Sequence, residues 1–210
     1  MKYKTKTKLI LPFKGELMVS NGGRTVETNN HIRPANQGPQ NQLYAYDFRT
    51  DNTGEETSLE DYPVFGREVI APGDGKVAQV VDGSFDCDPG EADRSVGVGN
   101  MIMLDHDNGE FSLLCHFKHN SIVVKVGEKV KQGQKLGLCG NTGNTNQPHI
   151  HYNLQDHLLG YKAKALFAQF VKIRVDGEVE KSYEPVRFQQ VSNYNWYICR
   201  ARRTRTSVGC

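Results

Sequence analysis

The chain has 210 residues, 37% of them hydrophobic and 24% charged, with 21 glycines and 8 prolines. That size and balance suit one globular domain with a sizeable core and many turns, and they exclude a disordered or collagen-like chain. Lys and Arg number 26 against 24 Asp and Glu, a net charge of +2, which gives no electrostatic reason to expect a nucleic-acid or membrane partner.

In chain order, the apolar stretch Leu9 to Phe13 comes first and is too short for a signal-peptide core or a membrane span, so no export signal is visible. Next, Leu43 to Phe48 alternates: Tyr44, Tyr46 and Phe48 form an apolar face and Asp47 stands opposite, so a carboxylate leaves the strand on its open side. Short apolar runs separated by Gly, Asp and Asn then predict strands at Gly75 to Val81, Asn100 to Leu104, Phe111 to Phe117, Ile122 to Val126 and His149 to Leu154. Helix signals are scarce, so the expected fold is all-β and antiparallel.

Two acidic segments, Asp51 to Asp61 and Asp82 to Gly99, are expected to be surface loops with solvated carboxylates; the second does not have the spacing of an EF-hand. Further strands are expected at Phe170 to Val175 and Pro185 to Val191, with Asp176-Gly177 as a turn. The organisation is thus a single domain over 1–195 with a basic tail, 196–210, carrying Arg200, Arg202, Arg203 and Arg205, expected to be solvated. The cysteines Cys87, Cys115, Cys139, Cys199 and Cys210 are odd in number and contain no Cys-x-x-Cys pair, which suggests neither a disulfide framework nor a thiolate metal site.

The sharpest local feature is His149-Ile150-His151. Strand alternation puts both imidazoles on one face, with Ile150, Tyr152 and Leu154 toward the core. In Phe111 to Phe117 the same parity argument sets Leu113, Cys115 and Phe117 on one face and sends His116 the other way. Each of these side chains alone has an ordinary structural role as its commonest explanation. Jointly, and with His31 added, they suit zinc, which in catalytic sites takes three N or O protein ligands and keeps one position open.

The segments Leu11-Pro12-Phe13-Lys14-Gly15, Asn29-Asn30-His31, Tyr44-Ala45-Tyr46-Asp47-Phe48, Ala71-Pro72-Gly73-Asp74-Gly75-Lys76-Val77, Cys115-His116-Phe117 and Gly140-Asn141-Thr142-Gly143 through Pro148-His149-Ile150-His151 resemble, in order, the lysostaphin-type (LytM-like) zinc metalloendopeptidases. The resemblance runs over roughly residues 9 to 195 and departs at the first motif, where a long polar insert separates His31 from Asp47. It implies an all-β sandwich or barrel-sandwich hybrid, one zinc ion per chain held by His31, Asp47 and His151, and His116 and His149 as the catalytic histidines. It also implies peptidoglycan peptide cross-links as the substrate, the cell envelope or the exterior as the place of action, and a monomer. Glycine bridges and direct cross-links through a diamino acid both stay open. One alternative is a non-catalytic wall-binding or regulatory module of the same fold. Another, a cupin-like barrel, is disfavoured because its His-x-His pair precedes a Glu and a further His, while here only His157 follows.

Overall fold

The computed structural model describes residues 3–34 and 39–194, so the basic tail lies outside the described residues. The strands are β1 (Glu16–Asn21), β2 (Tyr46–Arg49), β3 (Glu68–Ile70), β4 (Gly75–Val81), β5 (Met101–Asp105), β6 (Phe111–Cys115), β7 (Lys129–Val130), β8 (Lys135–Leu138), β9 (Ile150–Gln155), β10 (Ala165–Leu166), β11 (Phe170–Val175), β12 (Glu178–Tyr183) and β13 (Gln190–Asn193). Helical structure among the described residues is confined to short 3₁₀ turns at Gln40–Gln42, Leu59–Asp61 and Arg94–Val96.

Eleven strands form one sheet in the order β12-β11-β13-β1-β2-β9-β6-β5-β4-β7, with β10 added to β9. The neighbours pair antiparallel throughout. The sheet is open: it does not close into a barrel. β3 and β8 form a separate two-stranded sheet. Its Val69 and Leu136 share one core with Phe48, Leu114, Tyr152 and Phe170 of the large sheet, so two sheets close over a common apolar layer.

Alternation explains that layer. The register pairs Tyr46 with Tyr152 and Phe48 with Ile150, all buried on the core face. Tyr46 and Phe48 stack with centroids 5.7 Å apart, and Phe170 meets both edge-on. The hydroxyls of this face are satisfied: Tyr46 Oη donates to the Ala168 carbonyl at 3.1 Å, and Tyr152 Oη lies 3.1 Å from Ser112 Oγ. Asp47 and His151, register partners one residue along, therefore stand together on the opposite face.

Three expectations are corrected. Ile122 to Val126 is not a strand: Val123 N–H donates to the Leu136 carbonyl and Val124 is buried, but the next contact to β8 runs through the Ser121 side chain and no ladder forms. The expected strand from Pro185 begins only at Gln190, because Phe188 takes φ +74° and breaks the extended run. The parity assigned to β6 is also wrong. Leu113 and Cys115 pack with Met103 in a small cluster on the Asp47 and His151 face, while Leu114 and Phe117 join the main core.

Candidate metal centre and groove

Five side chains converge where β2, β9 and the end of β6 meet. Asp47 is the hub. Its Oδ2 accepts from His31 Nε2 at 2.9 Å and from Asn21 Nδ2 at 2.7 Å. Its Oδ1 lies 2.9 Å from His151 Nδ1 and 3.4 Å from His149 Nε2. His31 comes from the connection between β1 and β2, held by a hydrogen bond from its own N–H to Asn29 Oδ1 at 3.0 Å. Asn29 is fully buried, and its amide donates to the Gly23 and Ala45 carbonyls.

His116 reaches the cluster by a route that alternation does not describe. β6 ends at Cys115, the register partner of His151, and His116 then takes φ +64°. That left-handed residue keeps its imidazole on the His151 side while Phe117 turns into the core. His116 Nδ1 lies 2.7 Å from the Thr142 carbonyl, and His149 Nδ1 lies 2.9 Å from the Gln147 carbonyl. A carbonyl only accepts, so Nδ1 carries the proton in both rings; Nε2 of His116 is left for the groove, while Nε2 of His149 faces Asp47 Oδ1. The ring centroids of His116 and His149 are 4.8 Å apart.

Burial pushes the Asp47 carboxyl up, but the charges of His31 and His149, with hydrogen bonds from His149 and His151, outweigh it and hold the carboxyl well below its usual range. Burial also lowers His149, yet the Asp47 charge and hydrogen bond bring it above the ordinary histidine value. His151 is lowered, chiefly by burial. His116 is driven well down by burial and by its histidine neighbours.

Donor atoms of His31, Asp47 and His151 lie within 4.8 Å of one another, as do those of His116, His149 and His151. An ionised carboxylate beside imidazoles is a zinc-type donor set, and the protons that bridge these atoms occupy the space between lone pairs that a cation would share. The residues present fit the metal. His106, His119 and His157 lie apart from the cluster: His106 bonds Asp74 O and Ser112, His119 bonds Ser84 O, and His157 accepts from Leu159 N–H.

The cluster forms part of the lining of a groove of about 560 Å³. Residues 82–99 are the exposed surface loop expected, and Ala92, Arg94, Gly97 and Val98 of that loop also supply one wall of the groove. Asp86 accepts from Asn141 N–H at 2.6 Å and His119 N–H at 3.0 Å, Asp93 N–H donates to Gly143 O, and Asn144 N–H donates to Gly97 O. Sequence reading did not pick out Asn21, Gln147 or the Thr142 carbonyl. Thr142 lies inside the Gly140 to Gly143 motif, whereas Asn21 has no sequence signal of its own. Cys87, Cys115 and Cys139 are free thiols; burial and then the Asp47 charge push Cys115 up, which fits an inert packing role.

Among known proteins, the peptidoglycan DD-endopeptidase ShyA of Vibrio cholerae is 43% identical over 56 residues, 27% of this chain and 13% of that protein. The murein hydrolase activator NlpD of Escherichia coli is 30% identical over 101 residues, 48% of this chain and 22% of that protein. The chain thus spans well under a third of the length of these relatives. A mutant catalytic domain of the prophage-encoded M23 protein EnpA from Enterococcus faecalis superposes with a TM-score of 0.48 at 19% identity, over 75% of this chain and 93% of that one. The profile of peptidase family M23 matches residues 60–166, which include His116, His149 and His151 and follow His31 and Asp47. That match covers just over half of the sequence, and the chain belongs to peptidase family M23, a family of metallopeptidases.

Proposed function

We propose that the chain is a zinc-dependent endopeptidase that hydrolyses peptide cross-links of bacterial peptidoglycan, with His31, Asp47 and His151 as the ligands of one zinc ion and His116 and His149 as the catalytic histidines. The observation that carries this reading is the convergence of all five side chains on one groove, with both non-ligand imidazoles tied back through Nδ1 so that each turns Nε2 toward the cluster. Zinc held there supplies Lewis acidity, which polarises an amide carbonyl and makes water acidic enough to attack it.

The chain's own groups do the rest. Asp47, buried and ionised, already lies within hydrogen-bond distance of His31 Nε2 and His151 Nδ1, so the three donors are gathered at one point before a metal takes the place of the bridging protons. An unprotonated Nε2 on His116 or His149 takes the proton of the attacking water and returns it to the departing amine nitrogen. The same position on the other ring, when protonated, donates to the oxyanion that develops on the carbonyl oxygen. The Thr142 and Gln147 carbonyls hold the two rings in place, so this donor and this base meet the substrate without reorganisation.

The likeness to NlpD, named as a hydrolase activator, favours a second reading in which the chain binds cell wall and regulates another enzyme. The complete donor set favours hydrolysis. The test is incubation with purified sacculi of both cross-link types, with and without chelator, followed by mass analysis of released fragments. Chelator-sensitive loss of cross-linked dimers supports the endopeptidase reading; sacculi left intact by zinc-loaded protein overturn it.

A further inference from the structure

Two arginines and few acidic groups line the groove. Among the described residues, Asp47 is the one acidic residue of its lining, and that carboxylate is already engaged by three histidines and Asn21. Arg33 and Arg94 also line the groove, and neither has a carboxylate partner among the described residues. They come from opposite sides. Arg33 lies on the connection from β1 to β2, and Arg94 lies on the connection from β4 to β5, while the site-bearing strands β2, β9 and β6 stand between in the sheet order.

Arg94 sits on anchored backbone, and Arg33 is held through its side chain. Arg94 begins the 3₁₀ turn Arg94–Val96, capped by Asp93 Oδ1 accepting from Ser95 N–H, and its loop is pinned to the 143–144 backbone. Arg33 Nε donates to the Asn30 carbonyl at 3.3 Å, and Asn30 N–H donates to Asn21 Oδ1, the residue that also holds Asp47. A guanidinium offers paired N–H donors in a rigid fork that matches a carboxylate. A neutral glycine bridge gives neither arginine a partner, whereas a direct cross-link between two stems that each carry a diamino acid with a free carboxylate gives each of them one.

We propose that Arg33 and Arg94 select peptides carrying a free carboxylate on each side of the scissile amide. This rests on the endopeptidase reading and deepens it, placing the chain's substrate among direct, carboxylate-bearing cross-links.

The test uses two soluble cross-linked peptides of one sequence, the first with free carboxylates flanking the scissile amide and the second with carboxamides in their place. Cleavage efficiency and, separately, binding by fluorescence anisotropy are measured for the wild type, Arg33→Gln, Arg94→Gln and Arg94→Lys. The wild type prefers the carboxylate peptide by roughly tenfold, each Gln variant narrows that ratio by roughly threefold, Lys retains part of it, and added salt shrinks it, as for partly solvated ion pairs. Equal use and equal binding of the two peptides by the wild type, or Gln variants that keep the full ratio, overturn the proposal. A chain that binds the carboxylate peptide preferentially but cleaves neither upholds this recognition and overturns the endopeptidase reading.

Discussion

Gly99→Ala tests the support of His116 without touching any proposed ligand or catalytic group. Gly99 has φ +63°, and a Cβ built on it would lie 2.4 Å from the Thr142 carbonyl oxygen, the atom that accepts from His116 Nδ1. Ordinary contact begins at 3.4 Å, so that oxygen must retreat by about 1 Å or the chain at residue 99 must move instead. Forcing an alanine into the left-handed region costs about 1 to 2 kcal/mol, and the overlap costs roughly 1 to 3 kcal/mol more. The variant therefore melts several degrees below wild type but still folds, since domains of this kind hold roughly 5 to 15 kcal/mol. Displacing a catalytic imidazole by an ångström costs on the order of a hundredfold in turnover. Thermal melting, elemental zinc analysis and turnover on a cross-linked peptide are measured on the same preparation. Full zinc with turnover reduced about a hundredfold is the expected result, and wild-type turnover in a folded, zinc-replete variant refutes the claim that the Thr142 carbonyl gives way and carries His116 with it.

Asp47→Ala and His151→Ala each remove one of three proposed ligands and should lose both zinc and activity; full zinc content by elemental analysis in either variant shows that assignment to be wrong. His116→Ala and His149→Ala should keep zinc and lose roughly a hundredfold or more in turnover, and an empty His149→Ala beside a filled His151→Ala would exchange those two roles. His106, lowered chiefly by burial, binds its proton less readily in the folded chain than in the unfolded one. Its contribution to stability is therefore present above the ordinary histidine pKa of about 6.5 and is lost as pH falls below it toward the depressed folded value. Denaturant unfolding from pH 7.5 down to pH 5 should show a shallower loss in His106→Gln than in wild type, and identical slopes would contradict this.

Asp47 and His151 were legible in the sequence because both sit inside regular strands, where a period of two assigns faces without knowledge of the rest of the fold. The same rule sent His116 out of the core, where it lies, but put Leu113 and Cys115 on the wrong face, because the left-handed His116, one residue past the end of β6, cancels the alternation. β12 went unseen for a different reason. Its Glu178, Glu180 and Lys181 are exposed on the outermost strand of the sheet, where charged side chains blunt an edge and leave no apolar pattern. The acidic stretch 82–99 is the exposed loop that its composition suggests, but composition does not reveal that Asp86 is bound by backbone N–H groups of Asn141 and His119. The carboxylate preference was equally hidden. Arg33 and Arg94 lie 61 positions apart in the sequence, and the groove between them exists only once β2, β9 and β6 are side by side.

The central claim, that one zinc site formed by these side chains performs the hydrolysis, is tested most directly by titrating metal-free protein with zinc while recording amide cleavage in a soluble cross-linked peptide. The account predicts no cleavage at zero zinc and a linear rise that saturates at one equivalent per chain, abolished by Asp47→Ala. Cleavage by the metal-free protein, or one equivalent of zinc bound without cleavage of any cross-linked peptide, would contradict it.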